Sequence, residues 1–265
     1  MIRENYFSWS NLDDALFSWE FDDDIKIYLD GNVSVDKYIE RYSDFGKMKH
    51  RIIKHKFYDY IDSGASVVLN KFQNKSRIIN DLCLFVAQIT GAPTNANAYA
   101  ARGGDGTFDL HWDTHDVFAF QLIGRKRWRI YAPTFEKPLP HQKSSAFKSL
   151  RPTEPVADII LEQGDILYIP RGWWHEAIPL DHQDTFHIAV GVFPIKIIDY
   201  FQWIISKKLC DVLAGREYIN NFEQNIIATA SESLISMAHS SDNYNEFLFQ
   251  YQSGIRMKSA FNSGI

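Results

Sequence analysis

The sequence predicts a mainly β fold with helices: a double-stranded β-helix core of the jelly-roll or cupin type, N-terminal α/β elements and a C-terminal helical appendage. Three observations lead there. From Pro93 to Phe193 some ten short extended segments are punctuated by Gly, Pro, Asn and Asp, the pattern of a double antiparallel sheet. Before this stretch a β-branched strand is followed by an amphipathic helix, and after Pro194 apolar residues recur at intervals of three and four. The 265 residues are 45% hydrophobic and 15% aromatic, which excludes a disordered chain and suits a strand-rich core with a ligand cavity. The implied divisions are 1–93, elements packed on the barrel; 94–194, the barrel; and 195–265, the helical region.

In chain order, NLDDALFSW reads as a short helix with Asn11 as N-cap and Leu12, Leu16 and Trp19 on one face. Asp22 to Asp24 read as a solvated loop. IKIYLDGN alternates as a strand into a turn, and VSVDKYIERYSDF has helical spacing through Val35, Tyr38 and Tyr42. The basic run Lys47 to Lys56 reads as an exposed face. GASVVLNKF is a strand, and SRIINDLCLFVAQITG a helix capped by Ser76 and closed near Gly91. Beyond the barrel, Ile198, Phe201, Ile205, Leu209 and Val212 predict a helix ending at Gly215. Two more follow, through Phe222, Ile226, Ala230 and Leu234, and through Tyr244, Phe247, Leu248 and Tyr251. Such stripes must be covered, by the barrel or by a second copy in a homodimer.

A net charge of −5 provides no global attraction to nucleic acid, so no direct nucleic-acid binding is expected. The two cysteines, Cys83 and Cys210, lie far apart without metal-ligand spacing, which suits a reducing cytoplasm. The N-terminus has no signal-peptide pattern, and no stretch approaches the roughly 20 apolar residues of a membrane helix.

The chemistry concentrates in FDLHWDTHDVFAFQLIGRKRWRIYAP and QGDILYIPRGWWHEA. Residues two apart in a strand point the same way, so His111 and Asp113 address one point while Trp112 faces the other sheet surface. His175 and His187 compete as third ligand. The turn, strand and proline-ended loop of QGDILYIPRGWWHEA favour delivery of His175 to a barrel mouth and leave His187 as a wall residue. Two imidazoles and a carboxylate on one face of iron(II) leave positions open for a co-substrate and dioxygen. Such a centre needs an electron source, and the usual organic one is 2-oxoglutarate, whose far carboxylate needs a cation. Parity in GRKRWRIYAP sets Lys126, Trp128 and Ile130 on one face against Arg125, Arg127, Arg129 and Tyr131 on the other. Trp128 and Ile130 mark the inner face, so Lys126 is that cation.

These two runs, with NAYAARGGDGTFD before the first, resemble the cupin-type Jumonji C oxygenases, specifically the ribosomal oxygenase branch that hydroxylates protein side chains. The likeness is close from Tyr99 to Phe193 and extends to GASVVLNKF and its helix. It implies His111, Asp113 and His175 as catalytic iron(II) ligands. It implies Lys126 as partner of the distal 2-oxoglutarate carboxylate and Tyr99 as a hydroxyl donor to it, with Asn97 on the same face as a further pocket residue. Parity and family pattern thus agree on Lys126. Members of this branch usually continue into a winged-helix-like domain, for which the stretch after Pro194 is too short. The expected substrate is therefore a ribosomal protein or another peptide, such as a natural-product precursor, hydroxylated with release of succinate and CO2. Trp173, Trp174, His115, Arg102 and the arginine face are candidates for its path. An N-methyl-lysine demethylase of the same cofactor class and a non-catalytic metal-binding cupin are the alternatives; Lys126 argues against the second.

Overall fold

The structure is a computed structural model that describes residues 6–17, 24–103, 108–180, 183–218 and 224–254. The chain divides into two compact units, Met1–Phe193 and Pro194–Ile265.

The first unit carries helices α1 (Trp9–Phe17), α2 (Lys54–Asp62) and α3 (Arg77–Thr90) and strands β1 (Ile25–Tyr28), β2 (Ile39–Asp44), β3 (Lys47–Ile52), β4 (Ser66–Leu69), β5 (Thr94–Arg102), β6 (His111–Trp112), β7 (Asp116–Ile123), β8 (Lys126–Tyr131), β9 (Ala157–Leu161), β10 (Ile166–Ile169), β11 (Trp174–Pro179) and β12 (Asp184–Val192). Two antiparallel sheets face each other: a larger one in the order β1-β4-β5-β12-β7-β10 and a smaller one in the order β6-β11-β8-β9. Eight strands, β5 to β12, thus occupy the stretch that the sequence divides into about ten. This is the double-stranded β-helix that the turn chemistry predicts.

Two apolar layers sandwich the larger sheet. On its outer face Ile25, Ile27, Val67, Leu69, Ala98, Ala100, Phe186 and Ile188 pack against residues of the helices, including Leu12, Phe57, Ile79, Leu82 and Val86. On its inner face Val117 and Ala119 meet Trp128, Ile130 and Leu161 of the smaller sheet. A third cluster, Trp112, Tyr131 and Trp174, covers the back of the smaller sheet. The helix α3 is amphipathic as expected and ends at Gly91, whose φ of +64° is the left-handed C-cap that glycine adopts without strain. Ser76 stands at its N-cap position but makes no capping bond through its side chain.

Several local expectations are corrected. Ser8, not Asn11, caps α1: Asn11 N–H donates to Ser8 Oγ at 3.4 Å, and Asn11 Oδ1 accepts from Ser8 N–H at 2.9 Å, a reciprocal box with Asn11 in the third helical position. The segment read as a helix through Tyr38 and Tyr42 is a single 3-10 turn, Val35–Lys37, followed by the hairpin of β2 and β3. Tyr38 is buried and its hydroxyl donates to Ile25 O at 3.2 Å, while Tyr42 lies on the hairpin under the Arg51 guanidinium at 4.9 Å. Their spacing of four therefore reflects two separate environments.

In the second unit, α4 (Ile197–Lys207) stops earlier than the periodicity suggests. Leu209 lies in a 3-10 turn, Leu209–Asp211, and Gly215 closes another, Leu213–Gly215, with Val212 extended between them. The helices α5 (Gln224–Ala238) and α6 (Ser241–Gly254) follow; Phe222, like Trp19, lies outside the described residues. Within this unit Tyr200 and Trp203 of α4 pack on Phe247 of α6, at 5.1 and 5.7 Å between ring centroids. Among its described residues only Ile204 and Phe247 are fully buried hydrophobics.

Candidate active site

Cross-strand register builds the site. In the pairing of β6 with β11, His111 stands opposite His175 and Trp112 opposite Trp174. Strand alternation therefore sends both imidazoles inward and both indoles outward. The indoles pack edge to face at 4.5 Å, and Trp174 Nε1–H donates to Thr134 Oγ1 at 2.8 Å. His175 thus belongs to a strand rather than to the loop that the sequence suggests, because its pairing partners are β6 and β8. Asp113 follows β6 directly; its carbonyl accepts from Gly172 N–H at 3.0 Å, tying the two ligand-bearing segments together.

The donor atoms of His111, Asp113 and His175 lie within 4.8 Å of one another. His111 Nδ1 is 2.8 Å from Asp109 O, and His175 Nδ1 is 3.1 Å from Trp173 O. A carbonyl can only accept, so both Nδ1 atoms carry a proton, which leaves Nε2 as the atom of each ring that a metal would take; His175 Nε2 lies 3.5 Å from Asp113 Oδ2. Burial, together with the neighbouring His175, pushes His111 down to about 4, so it is neutral at pH 7. For Asp113 burial disfavours the charge, but the hydrogen bond and charge of His175, with His111 and His115 beside it, hold the carboxyl below its usual range. Two imidazoles and a carboxylate form a donor set for a divalent first-row metal with open positions.

This trio lies in a cavity of about 350 Å³ between the sheets. At the inner end stands Lys126, 1% exposed and without an ion pair among the described residues. Burial alone pushes its ammonium down to about 7. Tyr99 stacks flat on His187, ring centroids 4.7 Å apart. Burial and the Asp113 charge raise the Tyr99 phenol above its usual range, so it keeps its proton to donate; a hydrogen bond from Asn97 works the other way. Asn97 Oδ1 accepts from Lys71 N–H at 3.2 Å. Burial and the Lys126 charge keep His187 neutral. Trp128 Nε1 and His187 Nδ1 are buried with no hydrogen-bond partner among the described residues, although both residues line the cavity. An indole N–H is a donor only, and leaving one unsatisfied costs roughly 1–3 kcal/mol. An unpaired ammonium and an unused donor beside a metal-type cluster fit an anionic, oxygen-rich ligand.

The family comparison agrees with this geometry. Residues 68–200, half of the chain, match the JmjC domain family. The chain belongs to this family. It is 36% identical over 115 residues to the bifunctional lysine-specific demethylase and histidyl-hydroxylase NO66 of Drosophila persimilis, an overlap of 43% of this chain and 16% of that one. It is 30% identical over 163 residues to ribosomal oxygenase 1 of Danio rerio, covering 61% and 30%. The chain thus spans less than a third of the length of these curated relatives. Among solved structures, the Escherichia coli ribosomal oxygenase YcfD superposes with a TM-score of 0.61 at 18% identity, covering 98% of this chain and 67% of that one. The same protein in complex with cobalt and 2-oxoglutarate superposes with a TM-score of 0.59. These superpositions establish the shared fold.

The JmjC barrel brings His111, Asp113, His175, Lys126, Tyr99 and Asn97 to one cavity, with His187 in its wall. Other candidates do not line this cavity. Trp174 is core, and Trp173 packs against the inter-sheet cluster. His115 stacks on Phe193 at 4.6 Å. Arg102 pairs with Asp62 and Asp184, at 2.7 and 2.6 Å. Arg127 and Arg129 pair with Asp158, and Arg129 also with Glu176. Conversely, the cavity includes Lys26 and Tyr28 of β1, Asn70 and Phe108, which the sequence reading did not single out. Alternation in IKIY separates Lys26 and Tyr28 from the core residues Ile25 and Ile27, but only the sheet order carries β1 to the cavity.

Proposed function

We propose that this JmjC chain is an Fe(II)- and 2-oxoglutarate-dependent oxygenase that hydroxylates a side chain of a protein or peptide. The observation that carries the reading is the convergence, in one cavity, of a His-Asp-His donor set with a buried, unpaired lysine. The activities named for the relatives and the cobalt and 2-oxoglutarate complex of YcfD support it. When bound, iron(II) would activate dioxygen, the oxidant, with 2-oxoglutarate as the two-electron donor, one oxygen atom of the dioxygen ending in succinate, formed with CO2, and the other in the substrate hydroxyl. His111, Asp113 and His175 hold the metal from one side. Lys126 and the Tyr99 hydroxyl hold the distal carboxylate, with Asn97 steering the phenol and His187 supporting its ring. Trp128 closes the inner wall against water, which strengthens the lysine–carboxylate attraction.

The test is iron-dependent succinate formation together with intact-mass analysis of candidate peptides. A gain of one oxygen is expected, and His111→Ala and Asp113→Ala should each lower coupled turnover by about a hundredfold or more. Full turnover by either variant refutes the assignment, and loss of a methyl group with release of formaldehyde selects the demethylase reading that the NO66 name keeps open. The substrate class is a ribosomal protein, on the model of the relatives' names, or a precursor peptide. The apolar face of α4, with Ile197, Phe201 and Ile205 all exposed at intervals of four, supports a homodimer through the helical region. No helix among the described residues is long and apolar enough to cross a membrane; a cytoplasmic location is part of the proposal.

A further inference from the structure

The cavity has two ends of different chemistry, and the keto-acid reading uses only the inner one. At the outer end β1 extends the larger sheet past the barrel, because it pairs with β4, which pairs with β5. The alternation that buries Ile25 and Ile27 on the outer layer turns Lys26 and Tyr28 toward the cavity. The Tyr28 ring meets Phe108 edge to face at 5.2 Å, and Phe108 meets His111 at 5.6 Å. An aromatic wall therefore runs from the metal cluster to the rim. Asn70, from the end of β4, lines the same region, and neither its side chain nor the Tyr28 hydroxyl has a hydrogen-bond partner among the described residues. Lys26 is exposed and has no ion pair among them.

The main chain of β1 is less available. The carbonyls on its free edge are taken, Ile25 O by the Tyr38 hydroxyl at 3.2 Å and Ile27 O by Val33 N–H at 2.8 Å. A peptide added as a further strand would find these acceptors occupied, so β1 can contribute recognition only through side chains. Those side chains are one ammonium, one phenol and one amide on an aromatic floor.

We propose that this outer end is a peptide-recognition subsite that selects a substrate with a carboxylate close to the modified residue. Lys26 pairs with that carboxylate, the Tyr28 hydroxyl and the Asn70 amide hydrogen-bond the peptide's main chain, and Phe108 packs on the side chain entering toward His111. The cavity then carries one cation for each anion: Lys126 for the co-substrate and Lys26 for the substrate. The inference rests on the oxygenase reading for what happens to the bound peptide, but not for the binding preference itself.

The test separates the two. Immobilised full-length protein, loaded with iron(II) and 2-oxoglutarate under nitrogen so that no turnover occurs, is incubated with a synthetic library of twelve-residue peptides, and retained peptides are sequenced by mass spectrometry. Wild type is expected to enrich Asp- and Glu-bearing peptides about twofold to fivefold over their Asn and Gln counterparts, the range of an exposed ion pair. Lys26→Ala should abolish this preference, and Lys26→Glu should reverse it toward Lys- and Arg-bearing peptides. Lys143→Glu, an equal change of charge at an exposed site outside the cavity lining, should retain it. Equal acidic enrichment in wild type and both Lys26 variants, or none in wild type, overturns the proposal. Absence of iron-dependent succinate formation in air would instead refute the oxygenase reading and leave the measured preference standing.

Discussion

Replacing Lys126 by methionine keeps most of the side chain's length and removes its charge, which makes it a direct probe of the inner cavity. Burial pushes this lysine from its usual 10.5 down to about 7, and at about 1.4 kcal/mol per pH unit the folded protein without a bound anion keeps the proton at a cost on the order of 5 kcal/mol. Folding lowers the value, so between pH 7 and 10.5 the unfolded chain binds more protons and wild-type stability rises with pH across that window. The penalty is fully present below about pH 7 and is gone above 10.5. Lys126→Met should remove this contribution to the slope and raise the melting temperature at pH 7. The same substitution should weaken 2-oxoglutarate binding by about a hundredfold or more, since it leaves one partner of a buried pair alone. Calorimetric titration of wild type with 2-oxoglutarate at pH 8, in buffers of different ionisation enthalpy, should show uptake of close to one proton, because the carboxylate recharges a mostly neutral lysine. No proton uptake, together with a dissociation constant for Lys126→Met within threefold of wild type, would refute the reasoning.

Other substitutions test the scaffold. Gly124, at the turn between β7 and β8, has φ +65°, and a Cβ there would lie 2.0 Å from Asp184 O; Gly124→Ala should cost more than about 2 kcal/mol in urea unfolding, through clash and left-handed strain combined. Trp174→Ala should cost about 3–5 kcal/mol by the same measurement and weaken metal binding through the paired β6, while a cost below 1 kcal/mol would deny Trp174 its place in the core. The proposed homodimer through the exposed stripe of α4 requires wild type to sediment as a dimer and Phe201→Glu to shift toward monomer; a monomeric wild type refutes the proposal, and an unchanged dimer in the variant would place the interface elsewhere.

The core of the site was legible because strand parity is a strong constraint. His111 and Asp113 share a face, and Trp128 and Ile130 mark the side of the sheet on which Lys126 lies. Both inferences need only a period of two and one apolar marker. The position of His175 depended on pairing with β6 and β8, information that GWWHEA does not carry by itself. The hairpin of β2 and β3 was hidden because Tyr38 and Tyr42 imitate a helical interval for unrelated reasons, one buried under Ile25 and one stacked below Arg51. Lys26 and Tyr28 were hidden more deeply. A four-residue strand flanked by acidic turns resembles surface, and its neighbours come from residues 66–69, some forty positions later.

The two-residue strand β6 has a further consequence. One of its side chains supplies a ligand and the other supplies a buried indole, and both meet their counterparts on β11 in the same register. A slip of one residue would turn an imidazole into the hydrocarbon layer and an indole toward the metal, so no partly functional misregistered form exists between the correct pairing and none. Metal uptake by a freshly refolded sample is therefore a proofreading signal: the fraction of chains that retain the ion reports the fraction whose smaller sheet has closed correctly.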